Sequence, residues 1–173
     1  NGYVASNAMS AFREMIPSDS DAYLKVNLLR GLRANAELGW TQTHDAGMSY
    51  RLVDLMKEIH GEGNMSHRVY AAVPVAEAQR MLEQGRERTA DDMFDVRGIK
   101  VYIDGTLGSR GAALLANYAD ANHNGFMNRT RKEDLVPVLH EALTDGIQVW
   151  THVIGDRAVR SLLNWYEDAY NAI

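Results

Sequence analysis

Apolar positions along the chain switch repeatedly between two periods. From 18 to 38, Leu24, Leu28, Leu29, Leu32 and Ala36 recur at helical spacing, which predicts a helix capped by Ser18 or Asp19 and ended by Gly39. The run 40–44 is β-prone and stops at Asp45-Ala46-Gly47, so it predicts a short strand followed by a loop. Helical spacing returns over 49–60 through Leu52, Val53, Leu55, Met56 and Ile59, and the glycines at 61 and 63 break it before an apolar strand over 68–75. The same reading predicts a helix over 76–84, a polar connection over 85–92 and a strand over 97–103. A long loop over 106–129 then precedes a helix over 132–144, a strand over 147–152 and a last helix over 156–170.

Four strands alternating with helices imply parallel pairing, because parallel neighbours need a crossover of about a dozen residues or more. The fold class expected is α/β. Doubly wound sheets and (β/α)8 barrels share this alternation, and four βα units are half of what a barrel of about 250 residues requires. No Pro-rich or Ser-rich linker and no internal repeat divides the sequence, so residues 1–173 read as a single unit.

Composition narrows the function classes. With 46% hydrophobic and 24% charged residues the chain has the means to bury a core. A net charge of −5 argues against a nucleic-acid partner, which calls for clustered Lys and Arg. No apolar run approaches the roughly 18 residues needed to span a bilayer, and residues 1–10 lack a basic segment followed by an apolar core. A soluble protein without a signal peptide in this stretch is therefore expected, in either redox compartment. The absence of cysteine removes thiolate chemistry, so any metal must sit on His, Asp, Glu or a modified Lys.

In parallel α/β folds, active-site groups collect where strands end. His44 with Asp45, Lys100 with Asp104, and His152 with Asp156 occupy such positions. Lys100 lies within the apolar run Ile99-Lys100-Val101-Tyr102-Ile103, where an ammonium must be paired, neutralised or modified. Snorkelling to the strand end and pairing with Asp104 or another carboxylate satisfies it equally well. His152 is either a metal ligand or a hydrogen-bonded structural residue, and Asp156 is a helix cap by its position. The remaining histidines read as solvated, and the methionines and aromatic residues as core. The segment Gly105-Thr106-Leu107-Gly108-Ser109-Arg110-Gly111 matches neither phosphate-binding glycine pattern. It reads as an active-site loop whose Ser109 and Arg110 are placed to bind a substrate carbonyl or carboxylate.

Two long stretches carry a family likeness. The first runs from Gly98 through Lys100, Asp104, Gly105, Ser109 and Arg110 to Leu115, and the second is Val149-Trp150-Thr151-His152-Val153-Ile154-Gly155-Asp156-Arg157-Ala158-Val159. Tyr118-Ala119-Asp120 and Gly125 lie between them, and the segment 39–47 precedes them. In this order they resemble the metal-dependent amidohydrolases of the YtcJ-like type. The resemblance covers nearly the whole chain. It implies an internal fragment of a TIM-type (β/α)8 barrel, barrel strands two to five, and a hydrolase of non-peptide C–N, amide-like bonds.

The resemblance also implies roles. Lys100 is expected to be carboxylated and to bridge two divalent metal ions, Zn²⁺ being the expected ion. His152 is expected to bind one of them, with Asp104, Ser109 and Arg110 near a small amide-like substrate. The family's His-x-His pair, its strand-six His and its strand-eight Asp have no counterpart in the sequence, so this chain alone is expected to be incomplete or inactive. Its open sheet edges are expected to favour a homo-oligomer. Two alternatives from other classes are a non-catalytic folding or assembly module and a phosphate-binding α/β domain using 105–111.

Overall fold

The computed structural model describes residues 9–13 and 15–172; most of the segment at 1–10, read above for a leader peptide, lies outside them. After α1 (Ser10–Arg13) the elements are α2 (Asp21–Glu37), β1 (Gln42–Ala46), α3 (Tyr50–Gly61), β2 (Arg68–Pro74), a 3-10 turn (Val75–Glu77), α4 (Ala78–Gln84), β3 (Glu87–Arg88), β4 (Phe94–Tyr102), α5 (Lys132–Thr144), β5 (Gln148–His152) and α6 (Asp156–Asn171). The class is α/β, a partial TIM-type barrel in which β1, β2, β4 and β5 are the parallel strands. The strand order runs β1-β2-β4, with β5 also pairing β4.

The short β3 is a correction to the expected polar connection. It pairs antiparallel with β4, Glu87 against Val96 and Arg88 against Asp95. Arg86 holds the turn by donating to both carboxylate oxygens of Asp95, at 2.8 and 2.5 Å. With that support β4 starts at Phe94, three residues earlier than its apolar pattern predicts. The expected helix over 76–84 also divides, because the chain leaves Pro74 through a 3-10 turn before α4 begins.

The described chain forms two compact units, one of residues 19–100 with 141–150, the other of residues 101–140 with 151 onward and the N-terminal segment. In the first unit, Ser20 caps α2 by accepting the Tyr23 N–H. Lys25 on α2 reaches Glu58 of α3 and Glu62 just past its end at 3.0 and 2.7 Å. Val53, Met56, Ile59, Val73, Met81, Phe94, Val96 and Ile99 are among its largest fully buried side chains. In the second unit Val101, Ile103, Leu135 and Leu139 are fully buried, and Lys132 of α5 joins Asp168 of α6 at 2.6 Å. No helix among the described residues is long and apolar enough to cross a membrane.

Candidate functional site

The chemistry of β4 follows from an irregularity in its pairing. Ala71 of β2 stands opposite Val96 and Ala72 opposite Gly98, so Arg97 is an extra residue, a β-bulge. Side chains alternate faces along a strand, and one inserted residue switches the phase. Burial records the switch: Phe94 and Val96 are buried before the bulge, and Ile99, Val101 and Ile103 after it. Gly98, Lys100 and Tyr102 therefore share the face opposite that apolar set. Lys100 is partly buried there, and desolvation pushes its ammonium below the ordinary lysine range.

The same face of the first unit carries a stack of rings. Tyr70 and Trp150 are parallel to within 8° with centroids 5.4 Å apart, and the imidazole of His44 lies 5.2 Å from Tyr70 and 5.8 Å from Trp150. Gln148 Oε1 accepts from both Tyr70 Oη–H at 2.8 Å and Trp150 Nε1–H at 3.1 Å. His44 meets Gln42 at 2.8 Å. The expectation that the aromatic residues are plain core is corrected here, since these rings form a partly exposed polar-edged ladder. Among the histidines expected to be solvated, His67 is buried, bonded to Thr43 Oγ1 at 3.0 Å. Asp45 points into a groove of about 330 Å³ between α2 and α3, lined also by Leu28, Leu32, Met56 and Val69, and desolvation pushes its carboxyl up.

In the second unit, the Ile103 N–H donates to the His152 carbonyl at 3.0 Å, tying the end of β5 to the chain that continues β4. The His152 imidazole lies 5.2 Å from the Tyr102 ring, tilted by 40°. The Arg129 guanidinium carbon stands 5.9 Å from the Tyr102 centroid on the same ring. Tyr102 is legible in hindsight as two residues beyond Lys100 on one strand face, whereas nothing in the local pattern around Arg129 signals its place. Asp104 is completely buried. Its Oδ2 accepts the N–H groups of Ala113 and Gly155 at 2.9 and 2.8 Å, and its Oδ1 accepts that of Ile154 at 3.0 Å.

The loop after Asp104 is folded on itself. The Ser109 hydroxyl meets Thr106 Oγ1 at 2.9 Å, and Arg110 forms a bidentate pair with Asp120 at 3.0 and 2.7 Å. The N–H groups of Gly105, Arg110, Gly111 and Ala112 donate to carbonyls of the same loop. They are thus committed internally, and a phosphate cradle would need them free. Asp156 accepts the Leu115 N–H at 2.8 Å and its neighbour Arg157's N–H at 2.9 Å, joining the loop to the start of α6.

Lys100 and His152 supply donor chemistry suited to a divalent metal, an imidazole nitrogen and an amine that becomes an oxygen ligand on carboxylation. Among the described residues no group of three or more His, Cys, Asp or Glu is arranged to hold a metal ion. By donor type alone, the two residues fit part of a metal ligand set and not a complete one.

Comparison with known proteins decides the family. The model of the amidohydrolase family matches residues 1–173. The chain belongs to the amidohydrolase family. A curated relative, Protein LONG AFTER FAR-RED 3 of Arabidopsis thaliana, is 29% identical over 133 residues, covering 76% of this chain and 21% of that protein. Two solved structures of uncharacterized metal-dependent hydrolases share the fold. The one from Pyrococcus horikoshii OT3 superposes with a TM-score of 0.84 at 22% identity, covering 95% of this chain and 35% of that one. The one from Pyrococcus furiosus has a TM-score of 0.85 at 24% identity, covering 96% and 36%. This amidohydrolase chain thus spans about a fifth of the plant relative's length and about a third of each archaeal protein.

Proposed function

We propose that this amidohydrolase chain is part of the barrel of a metal-dependent hydrolase acting on non-peptide C–N, amide-like bonds, with Lys100 and His152 as metal ligands. The observation that carries the reading is the bulge at Arg97. It switches the alternation so that Lys100 leaves the face of the buried Phe94 and Val96 and lies opposite the whole apolar set, while desolvation favours its neutral amine. A neutral amine adds to carbon dioxide, forming an N–C bond and releasing a proton, and the resulting carbamate offers two oxygens that share one negative charge. A bound divalent ion, Zn²⁺ in this reading, would lower the pKa of a coordinated water and polarise a scissile carbonyl. Donors beyond Lys100 and His152 come, in this reading, from outside the described residues. Ser109 and Arg110 remain the proposed substrate contacts on the loop.

The test is hydrolysis of a panel of N-acyl amines and cyclic amides by the protein that carries this chain, before and after treatment with 1,10-phenanthroline. Turnover that the chelator abolishes and Zn²⁺ restores is the expected result. Turnover indifferent to the chelator, or restricted to phosphate esters, contradicts the proposal. A second reading, a folding or assembly module without catalysis, predicts no metal-dependent turnover at all.

A further inference from the structure

We propose that Asp104 is a positioning residue whose carboxylate holds the chain following His152, and through it the His152 side chain, in a fixed place. Its value as part of an active site rests on the reading of His152 given above, whereas the positioning itself does not.

An ionised carboxylate has about four lone-pair sites and no donor. Asp104 spends three of them on backbone N–H groups from two separate stretches, Ala113 on the loop after β4 and Ile154 with Gly155 just after β5. A completely buried group offers no surface to a substrate, so Asp104 acts through what it holds. What it holds is close to His152: Ile154 and Gly155 are the second and third residues beyond it. The stretches are drawn together so tightly that a methyl group at Gly155 would lie 1.9 Å from the Ala113 carbonyl oxygen. That same carbonyl accepts the N–H groups of Arg157 and Ala158 at 3.1 and 3.3 Å, seating the first turn of α6. With the Ile103 N–H on the His152 carbonyl, the backbone is tied immediately at His152 and again two residues beyond it. Only the second tie depends on a side chain.

The charge pattern makes Asp104→Asn informative. An amide oriented to keep its oxygen on Ala113 and Gly155 turns its N–H₂ toward the Ile154 N–H, donor against donor, so one tie is lost with almost no change in volume. The protein labelled on histidine Cε1 would be compared with Asp104→Asn by NMR, using His152→Gln to assign the His152 signal. The expected result is a folded variant whose His152 signal shifts or broadens while those of His60 and His140 stay in place. An unchanged His152 signal, an equal movement of all histidine signals, or a variant that fails to fold would each overturn the proposal. Amide exchange in the unsubstituted protein supplies a check that needs no variant. Ile154 and Gly155 should exchange at least tenfold more slowly than unstructured amides, and fast exchange of both overturns it. Titration with Zn²⁺ separates the two claims. If Zn²⁺ leaves the His152 signal untouched while Asp104→Asn still moves it, the metal reading fails and the positioning role stands.

Discussion

The Trp150 indole lies against Gly98: a methyl group at Gly98 would stand 3.1 Å from Trp150 Nε1 and 2.9 Å from Ala72 Cβ. One missing side chain on β4 thus lets a tryptophan from β5 reach across to stack on Tyr70 of β2. Gly98→Ala should force either the indole or β2 to move. A loss of about 1–3 kcal/mol is expected from such overpacking, with a weakened near-ultraviolet tryptophan signal. Denaturant unfolding monitored by circular dichroism measures both, and a variant as stable as the parent would refute the close approach.

Two glycines of contrasting kind separate space from backbone strain. Gly155 has an ordinary φ of −72° but abuts the Ala113 carbonyl, whereas Gly146 has a φ of +67° and open space around its Cβ position. Gly146→Ala should cost about 1–2 kcal/mol, the penalty of a left-handed conformation for an L side chain. Gly155→Ala meets rigid backbone, so about 3 kcal/mol or more is expected. Thermal unfolding of the two variants side by side tests the order, and a larger loss at Gly146 would reverse it.

An acid-side pH dependence follows from His60 and Asp91. The imidazole Nε2 lies 3.0 Å from both carboxylate oxygens, and this contact, helped by Thr89, holds the Asp91 carboxyl down at about 2. A carboxyl whose folded pKa is depressed contributes stability that is full above its unfolded value, near 4, and lost as the pH falls through the folded one. The window is therefore from about pH 4 down to about 2. Because the pair is solvent-exposed the effect on folding is small, so the direct measurement is NMR titration of the Asp91 carboxyl. Its midpoint should return toward the ordinary range in His60→Ala; a midpoint unmoved by that substitution would exclude His60 as the cause.

Much of the architecture is written in local pattern. Helix α5 begins and ends at the residues its spacing predicts, Lys132 and Thr144, because apolar periodicity and the Asp145-Gly146 turn act within a few residues. What local pattern omits is pairing. Strand β1 sits two residues later than its β-prone run, since Asp45 and Ala46 gain partners in Ala71 and Ala72 while Trp40 remains exposed. The bulge that re-aims Lys100 exists only in the register of β4 against β2. The ring ladder joins residues 44, 70 and 150, and Asp104 finds its donors 9, 50 and 51 residues away. The sequence places Lys100, Asp104 and His152 at strand ends; the distant donors that bind Asp104's carboxylate are visible only in three dimensions.

The most direct test of the account is metal content. Elemental analysis of the intact amidohydrolase that carries this chain should find a divalent ion in stoichiometric amount. Lys100→Ala and His152→Ala should each lose it, with unfolding midpoints close to the parent's. A protein that binds no metal, or one that keeps its full complement in both variants, would contradict the assignment of Lys100 and His152 as ligands.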